Sequence, residues 1–449
     1  MINRLVLAAI AAFAPFSLVA SSIVVNRFIP SFVACAGQAV DLPTMRPTIK
    51  ATMSIGHASR ASALINDPRQ LYKFDGIMEM SGWYDLRELI ASTQDANPSF
   101  VSPMAQETGG VALTNLQLLF GARSSVSLYG TALQLTLPFN KHVRAGIEMP
   151  IWHVETRQEY GFPVVSNDDS MLPAQREQVQ RFRQQTHAYL GLAQKDWIVT
   201  GLGDVSCWVE GLHTWDYLWL IRTFQLSGTL FTTLSSAKKR DLSSPASFSL
   251  GAQSVGIGLT LAPRAEIKEG IWINLPVSVV AQTPYQTTER IPAYAEPLPF
   301  GALTGTLRTV PGVTVAIEPS LVLMHFIDNL HLTFGLSWTK HYADRFEDKR
   351  PAGSSPSYLT RTALPANSFG ASTQPAQGQW HSVQMNKYAK QASTNWHRTY
   401  LHLGLQYELT DLFPRLKYAP ALDVALHYCV GDARAARMHQ ISAGFSWRF

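Results

Sequence analysis

Six carboxylates, two histidines and two arginines share one feature of position, and it limits the chemistry they could do. Glu148, Asp204, Glu210, Glu318, Glu408 and Asp423, with His402, His427, Arg144 and Arg448, all fall on the polar parity of segments whose other parity is oily. Acids gathered on one face can serve proton transfer, hold a cation, or brace basic groups across a wet interior. The motifs that would single out proton transfer or group transfer are missing: the chain has no GxSxG, no P-loop and no HExxH. Of the cysteines Cys35, Cys207 and Cys429, none stands in a CxxC or other metal-ligand spacing. Cys207 falls on the oily parity and Cys429 on the polar one, so no disulfide is expected, and no metal or cofactor is implied. What remains is a wall of acids facing either a cation path or basic groups supplied from elsewhere.

The segments that position these residues alternate with a period of two, which is the signature of half-buried strands. Over 124–137 one face carries Tyr129, Leu133, Leu135 and Leu137; over 141–155 it carries Val143, Ile147, Met149 and Ile151, with Arg144, Glu148 and Trp152 opposite. Further pairs are read at 198–213 with 217–233, 250–262 with 267–281, 308–324 with 329–342, and 396–409 with 419–431. The segment 111–120 leads in and 438–449 closes. That gives about twelve strands, in a range of roughly ten to fourteen. Turns after 137, 213, 262, 325 and 409 are short or moderate, whereas those after 155, 233, 281 and 342 are long. Such asymmetry between two rims belongs to a barrel set in a membrane. A charge at Leu403, on the oily parity, should then be costly, and one at Gln406 should be tolerated.

Composition agrees. The hydrophobic fraction is 46%, yet beyond the N-terminus there is no run of 18 apolar residues that could cross a bilayer as a helix. A β-barrel hides its apolar surface by alternation. Charged residues are only 15%, and a net charge of +5 is too small and too dispersed to suggest nucleic acid. Trp215, Tyr217 and Trp219 cluster as an interfacial girdle would.

The ending ISAGFSWRF keeps Ile441, Ala443, Phe445 and Trp447 on one face up to the last residue. A flat apolar edge strand would invite association in a soluble protein. It resembles the C-terminal signal of Gram-negative outer-membrane β-barrels, in which a terminal Phe with aromatics two and four residues earlier is recognised by the assembly machinery. The resemblance assigns that role to Phe445, Trp447 and Phe449. GLGDV (201–205) resembles a glycine-rich strand start of outer-membrane transporters for aromatic and long-chain hydrophobic molecules, the long-chain fatty-acid transporters among them. No hatch motif of that family occurs in 37–110. The resemblance implies an all-β transmembrane antiparallel barrel in the outer membrane of a Gram-negative bacterium, with membrane lipids and the assembly machinery as partners.

Residues 1–36 read as a secretory signal: Arg4, an apolar core from Leu5 to Ala20, and small-residue exits at Ala20-Ser21-Ser22 and Ala34-Cys35-Ala36. Residues 37–110 lack the alternation and are read as a periplasmic or plug segment ahead of a 111–449 barrel. A short helix is expected at 84–93. Arg46, Lys50, Arg60, Arg69 and Lys73 lie in this segment, and the inward acids could hold 37–73 in the lumen. Within the long loops a helix is expected from about 173 to 190, begun by Asp168-Asp169-Ser170 and Pro173, while 343–394 is rich in Ser, Pro, Ala, Gln and Gly.

The expected function is a channel or transporter for passive uptake of small solutes, hydrophobic ones among them. The alternatives are a surface structural or adhesin barrel and, behind it, an outer-membrane hydrolase. For the last, no His-x-Ser-Asn-Gly of an outer-membrane phospholipase is present, and His153 with Glu155 near the rim is the one pair reminiscent of a surface protease. No residue is assigned a catalytic role.

Overall fold

The computed structural model of the chain describes residues 47–59, 82–85, 119–161, 173–192, 196–218, 221–291, 303–349, 394–409, 420–433 and 435–448. The wall is built from β1 (Thr48–Ala58), β3 (Leu119–Asn140), β4 (Val143–Gly161), β5 (Trp197–Leu202), β6 (Val205–Leu218), β7 (Ile221–Leu234), β8 (Gly256–Lys268), β9 (Ile271–Asn274), β10 (Val277–Gln282), β13 (Thr314–Ile317), β14 (Ser320–Ile327), β15 (Leu330–His341), β17 (Trp396–Glu408), β18 (Ala421–Ala433) and β19 (His439–Arg448). Three of its strands are broken in the middle, β5/β6, β9/β10 and β13/β14, so the wall holds 12 strands. Every pairing is antiparallel, and β15 pairs with β17 to close the ring. A closed ring leaves no edge with unpaired backbone groups, the condition for strands to lie in hydrocarbon.

The side-chain period of two decides which face meets lipid. Along β17, Leu401, Leu403, Leu405 and Tyr407 are exposed, while His402, Gly404 and Gln406 between them are buried. In β18, Leu422, Val424, Leu426 and Tyr428 are exposed against buried Asp423, Ala425, His427 and Cys429. Ile441, Phe445 and Trp447 continue the outer row on β19, and Trp215 and Tyr217 are exposed at the short-turn end of β6. An even-numbered closed antiparallel ring with an apolar outer belt and aromatics at its border is an outer-membrane β-barrel. Cys207, outward on β6, and Cys429, inward on β18, are both free thiols.

One boundary drawn from sequence is corrected. Thr48–Ala58, placed ahead of the barrel in 37–110, is a wall strand that pairs with β19 on one side and β3 on the other. Its outer row is Ile49, Ala51, Met53 and Ile55, and its inner row includes Lys50, Thr52 and Ser54. Tyr84 and Asp85, expected to start a helix, instead end a short strand, β2 (Gly82–Asp85), on the end of β3. The remainder of 84–93, the signal segment 1–36, Arg46, Arg60, Arg69 and Lys73 lie outside the described residues.

Short turns gather at one rim, where Asn140 accepts the amides of His142 and Val143 through Oδ1 at 2.7 and 2.8 Å. The other rim carries long connections. There β11 (Tyr285–Ile291), β12 (Leu303–Val310) and β16 (Arg345–Asp348) form a separate three-stranded sheet. The expected helix is α1 (Pro173–Tyr189), with Pro at its first position. Gly191, at φ 64°, ends it, and the Leu192 amide reaches back to the His187 carbonyl at 2.8 Å. Its Phe182 and His187 are buried, whereas Tyr189 is exposed. Arg290 of β11 fastens its end, donating to the carbonyls of Leu242 (2.8 Å) and Leu190 (3.0 Å).

Proline marks two of the broken strands, with Pro276 between β9 and β10 and Pro319 between β13 and β14. Leu275, Glu318 and Leu336 donate to the carbonyls of Pro263, Pro276 and Pro319, a row across neighbouring strands. Each proline accepts but cannot donate, so the ladder is interrupted at that height.

Candidate functional site

The interior is the site, and its two ends differ. Near the short-turn rim the wall pairs its own charges. Arg144 on β4 bonds Glu210 on the neighbouring β6, whose carboxylate is 1% exposed. Lys50 on β1 reaches Asp423 on β18 at 3.3 Å, across the intervening β19. Gly444 permits this, because a Cβ there would meet the Asp423 carboxylate at 2.5 Å. His331 on β15 faces Glu408 on β17 at 3.6 Å. Glu148 and Glu318 are also buried in the inner rows. Two of the inner acids named in the sequence, Glu210 and Asp423, are thus met by cations of the wall, and Lys50 is itself a wall residue. Arg448 ends β19, and its side chain, like the whole of Phe449, lies outside the described residues.

Higher on the same wall, His402 and His427 face each other with Nδ1 atoms 2.6 Å apart. The Nε2 of His402 lies 2.8 Å from the Ser337 hydroxyl, and that of His427 lies 3.2 Å from Ser442. Neutral tautomers satisfy the chain in either direction, with the proton order running from Ser337 through His402 and His427 to Ser442 or the reverse. Four strands are joined by it. Near the other rim Thr314, His341 and Asp344 are linked at 2.7 and 2.9 Å, an order of hydroxyl, imidazole and carboxylate found in hydrolases. Thr314 is fully buried, so its hydroxyl braces the wall beneath the loop. His153 faces outward and contacts Thr200 at 2.7 Å and Glu155 at 3.3 Å. Among the described residues no cluster of three or more His, Cys, Asp or Glu could hold a metal ion.

Beside β3, β4 and β5, towards the long-loop rim, the inner face turns apolar. Val126, Leu128, Ala132, Trp152, Val154, Trp197 and Val199 all point inward. The connection from β7 to β8, residues 235–255, folds onto this patch. Ala246, Phe248 and Leu250 pack there with all three nearly fully buried, and the Phe248 and Trp197 rings lie 5.4 Å apart. Sequence reasoning assigned residues 234–249 to a long loop and read 250–255 as the start of a strand, which begins instead at Gly256.

The glycine-rich segment acquires a role here. Gly203 and Asp204 form the gap between β5 and β6, held to the wall by the Gly203 amide on the Pro150 carbonyl at 2.8 Å. Asp204 accepts the Ala252 amide on Oδ2 at 2.6 Å and the Ala237 amide on Oδ1 at 3.4 Å. Ser236 donates to the Gly203 carbonyl at 2.7 Å and accepts the Val205 amide at 3.0 Å. Both stems of the loop are therefore tied at one place, and Asp204, expected on sequence to face an open lumen, binds backbone.

No family model and no curated protein matches the chain. Among solved structures, the COG4313 outer membrane channel from Pseudomonas putida F1 aligns over 92% of this chain and 98% of its own, at 8% identity and a TM-score of 0.47. The β domain of the Bordetella autotransporter BrkA aligns over 90% and 100%, at 8% identity and 0.34. A Pseudomonas aeruginosa FadL homologue aligns over 96% and 98%, at 7% identity and 0.31. At these scores none of them assigns a family or an activity. The barrel assignment rests on the closed strand order and the lipid-facing belt.

Proposed function

We propose that the chain is an outer-membrane channel through which small solutes, hydrophobic ones among them, cross passively. The observation that carries this reading is the in-folded loop 235–255. A barrel of 12 strands encloses more width than its own side chains fill. This one narrows that width with a segment of its own, held by hydrogen bonds and apolar contact instead of a covalent tie. The Arg144–Glu210 and Lys50–Asp423 pairs towards the short-turn rim offer polar footing, and the Trp152–Trp197 patch, covered by the loop, is apolar. Solutes would be retained by weak contacts only, with no chemistry performed on them.

A folded cap at the long-loop rim, made of α1 and the β11–β12–β16 sheet, favours a second reading, a barrel whose loops bind at the cell surface. Purified, folded protein in a planar bilayer separates the two. Discrete conductance steps are expected, and heat-modifiable protein that inserts yet gives none overturns the channel reading.

A further inference from the structure

The geometry points to Asp204 as the catch of a movable stopper, the loop 235–252, whose Phe248 tip occupies the aromatic patch of the inner wall. The inference rests on the channel reading and adds its regulation. Three observations meet at this residue. The loop is fastened to the wall at its base, where Asp204 takes an amide from each stem and Ser236 bridges Gly203 and Val205. The stems are fastened to each other by the Leu250 amide on the Lys238 carbonyl at 3.0 Å. The tip is held by burial of Ala246, Phe248 and Leu250 against Trp152, Val154 and Trp197, and by one hydrogen bond that Arg290 of β11 donates to the Leu242 carbonyl at 2.8 Å.

This division gives the loop two well-defined states. Inside, the carboxylate satisfies two backbone amides in a site crowded by Gly251, where any Cβ would collide with Asp204 itself. Outside, those amides return to water and the apolar patch opens to the lumen. Buried apolar area alone would hold the tip in many registers, because the hydrophobic effect has no direction. Hydrogen bonds to a fixed carboxylate select one. An apolar solute entering from the long-loop rim would compete with Phe248 for the same aromatic surface, so its arrival favours the released state by mass action. Asp204 is thus a positioning residue for the stopper, acting on the solute path through Phe248.

Two variants of the full chain test this in planar bilayers. Asp204→Ala removes the acceptor, and the fraction of time spent conducting should rise by about tenfold or more, the factor that one lost charge-assisted hydrogen bond carries. The second, Gly201→Cys with Lys238→Cys, locks the base of the loop. A Cβ on residue 201 would lie 3.6 Å from the Lys238 Cβ, within disulfide range. The oxidised form should conduct at or below the wild-type level, and reduction of the same protein should restore wild-type behaviour. Measuring both redox states of one folded sample removes folding as an explanation. If wild type conducts and neither variant alters its open fraction, the stopper is overturned while the channel stands. If wild type itself gives no conductance, the channel reading fails first.

Discussion

The two ends of the interior solve the same problem in different ways. Towards the short-turn rim the space is filled by polar side chains of the wall, and these are paired: Arg144 with Glu210 and Lys50 with Asp423 as ion pairs, and the His331 imidazole beside the Glu408 carboxylate. Towards the long-loop rim, beside β3 to β5, the wall is apolar and is covered by a segment of the chain. Side chains that must span the lumen without a covering element need length and mutual attraction, which charged groups have. Where backbone comes in to cover the wall, apolar contacts suffice, provided the incoming amides find acceptors such as Asp204.

The sharpest way to break this contrast is to unpair the charged end. Arg144→Gln leaves Glu210 buried without its cation and should cost about 3–5 kcal/mol, whereas Arg144→Met with Glu210→Met should recover most of that. Urea unfolding in lipid vesicles reads both, and equal losses from the single and double variants would show that the pair does not act as a unit.

Next is the outer face, which should be indifferent to the contrast. Leu403→Arg, lipid-facing on β17, is expected to cost about 2–4 kcal/mol. Gln406→Arg was expected to be tolerated if the lumen were open water. The structure revises that, because Gln406 is 5% exposed and lies opposite His331. A longer charged group there should cost about 1–3 kcal/mol through overpacking. A silent Gln406→Arg in the same unfolding assay would mean this end is wetter than its burial indicates.

A smaller effect belongs to the cap. Burial, then the guanidiniums of Arg183 and Arg290, push the His187 pKa down to about 3. Its folded value lies below the unfolded one, so the unfolded helix binds the proton first. Docking of α1 is therefore strongest above about pH 6.5 and weakens as pH falls from there towards 3. Limited proteolysis of α1 in intact barrels should accelerate across that window, and a His187→Asn variant should flatten the dependence. A wild-type cleavage rate constant with pH would show that His187 does not control docking.

The last test moves no stability at all. Tags near Asp168 or Ser355 should be reachable from outside intact cells and a tag near Asn140 should not. The reverse labelling would exchange the two ends being compared.

Much of the wall was legible because a strand in lipid has to repeat one rule locally: oily and polar residues in turn, so that Leu401, Leu403 and Leu405 face out wherever their partners lie. The long and short connections and the helix at Pro173–Tyr189 were equally local, set by turn residues and a proline start. The strand Thr48–Ala58 obeyed the same rule in Ile49, Met53 and Ile55, but a lone strand far from its neighbours in sequence is recognised only by its partners, and those are β19 and β3. The apolar inner patch exists only once β3, β4 and β5 stand side by side, so nothing within residues 235–255 could announce that Phe248 has a place to go. Lys50 and Asp423 likewise come from opposite ends of the chain and meet only because the ring closes between them. Period and turn chemistry are properties of neighbouring residues, whereas enclosure belongs to the closed ring, and the site is made of enclosure.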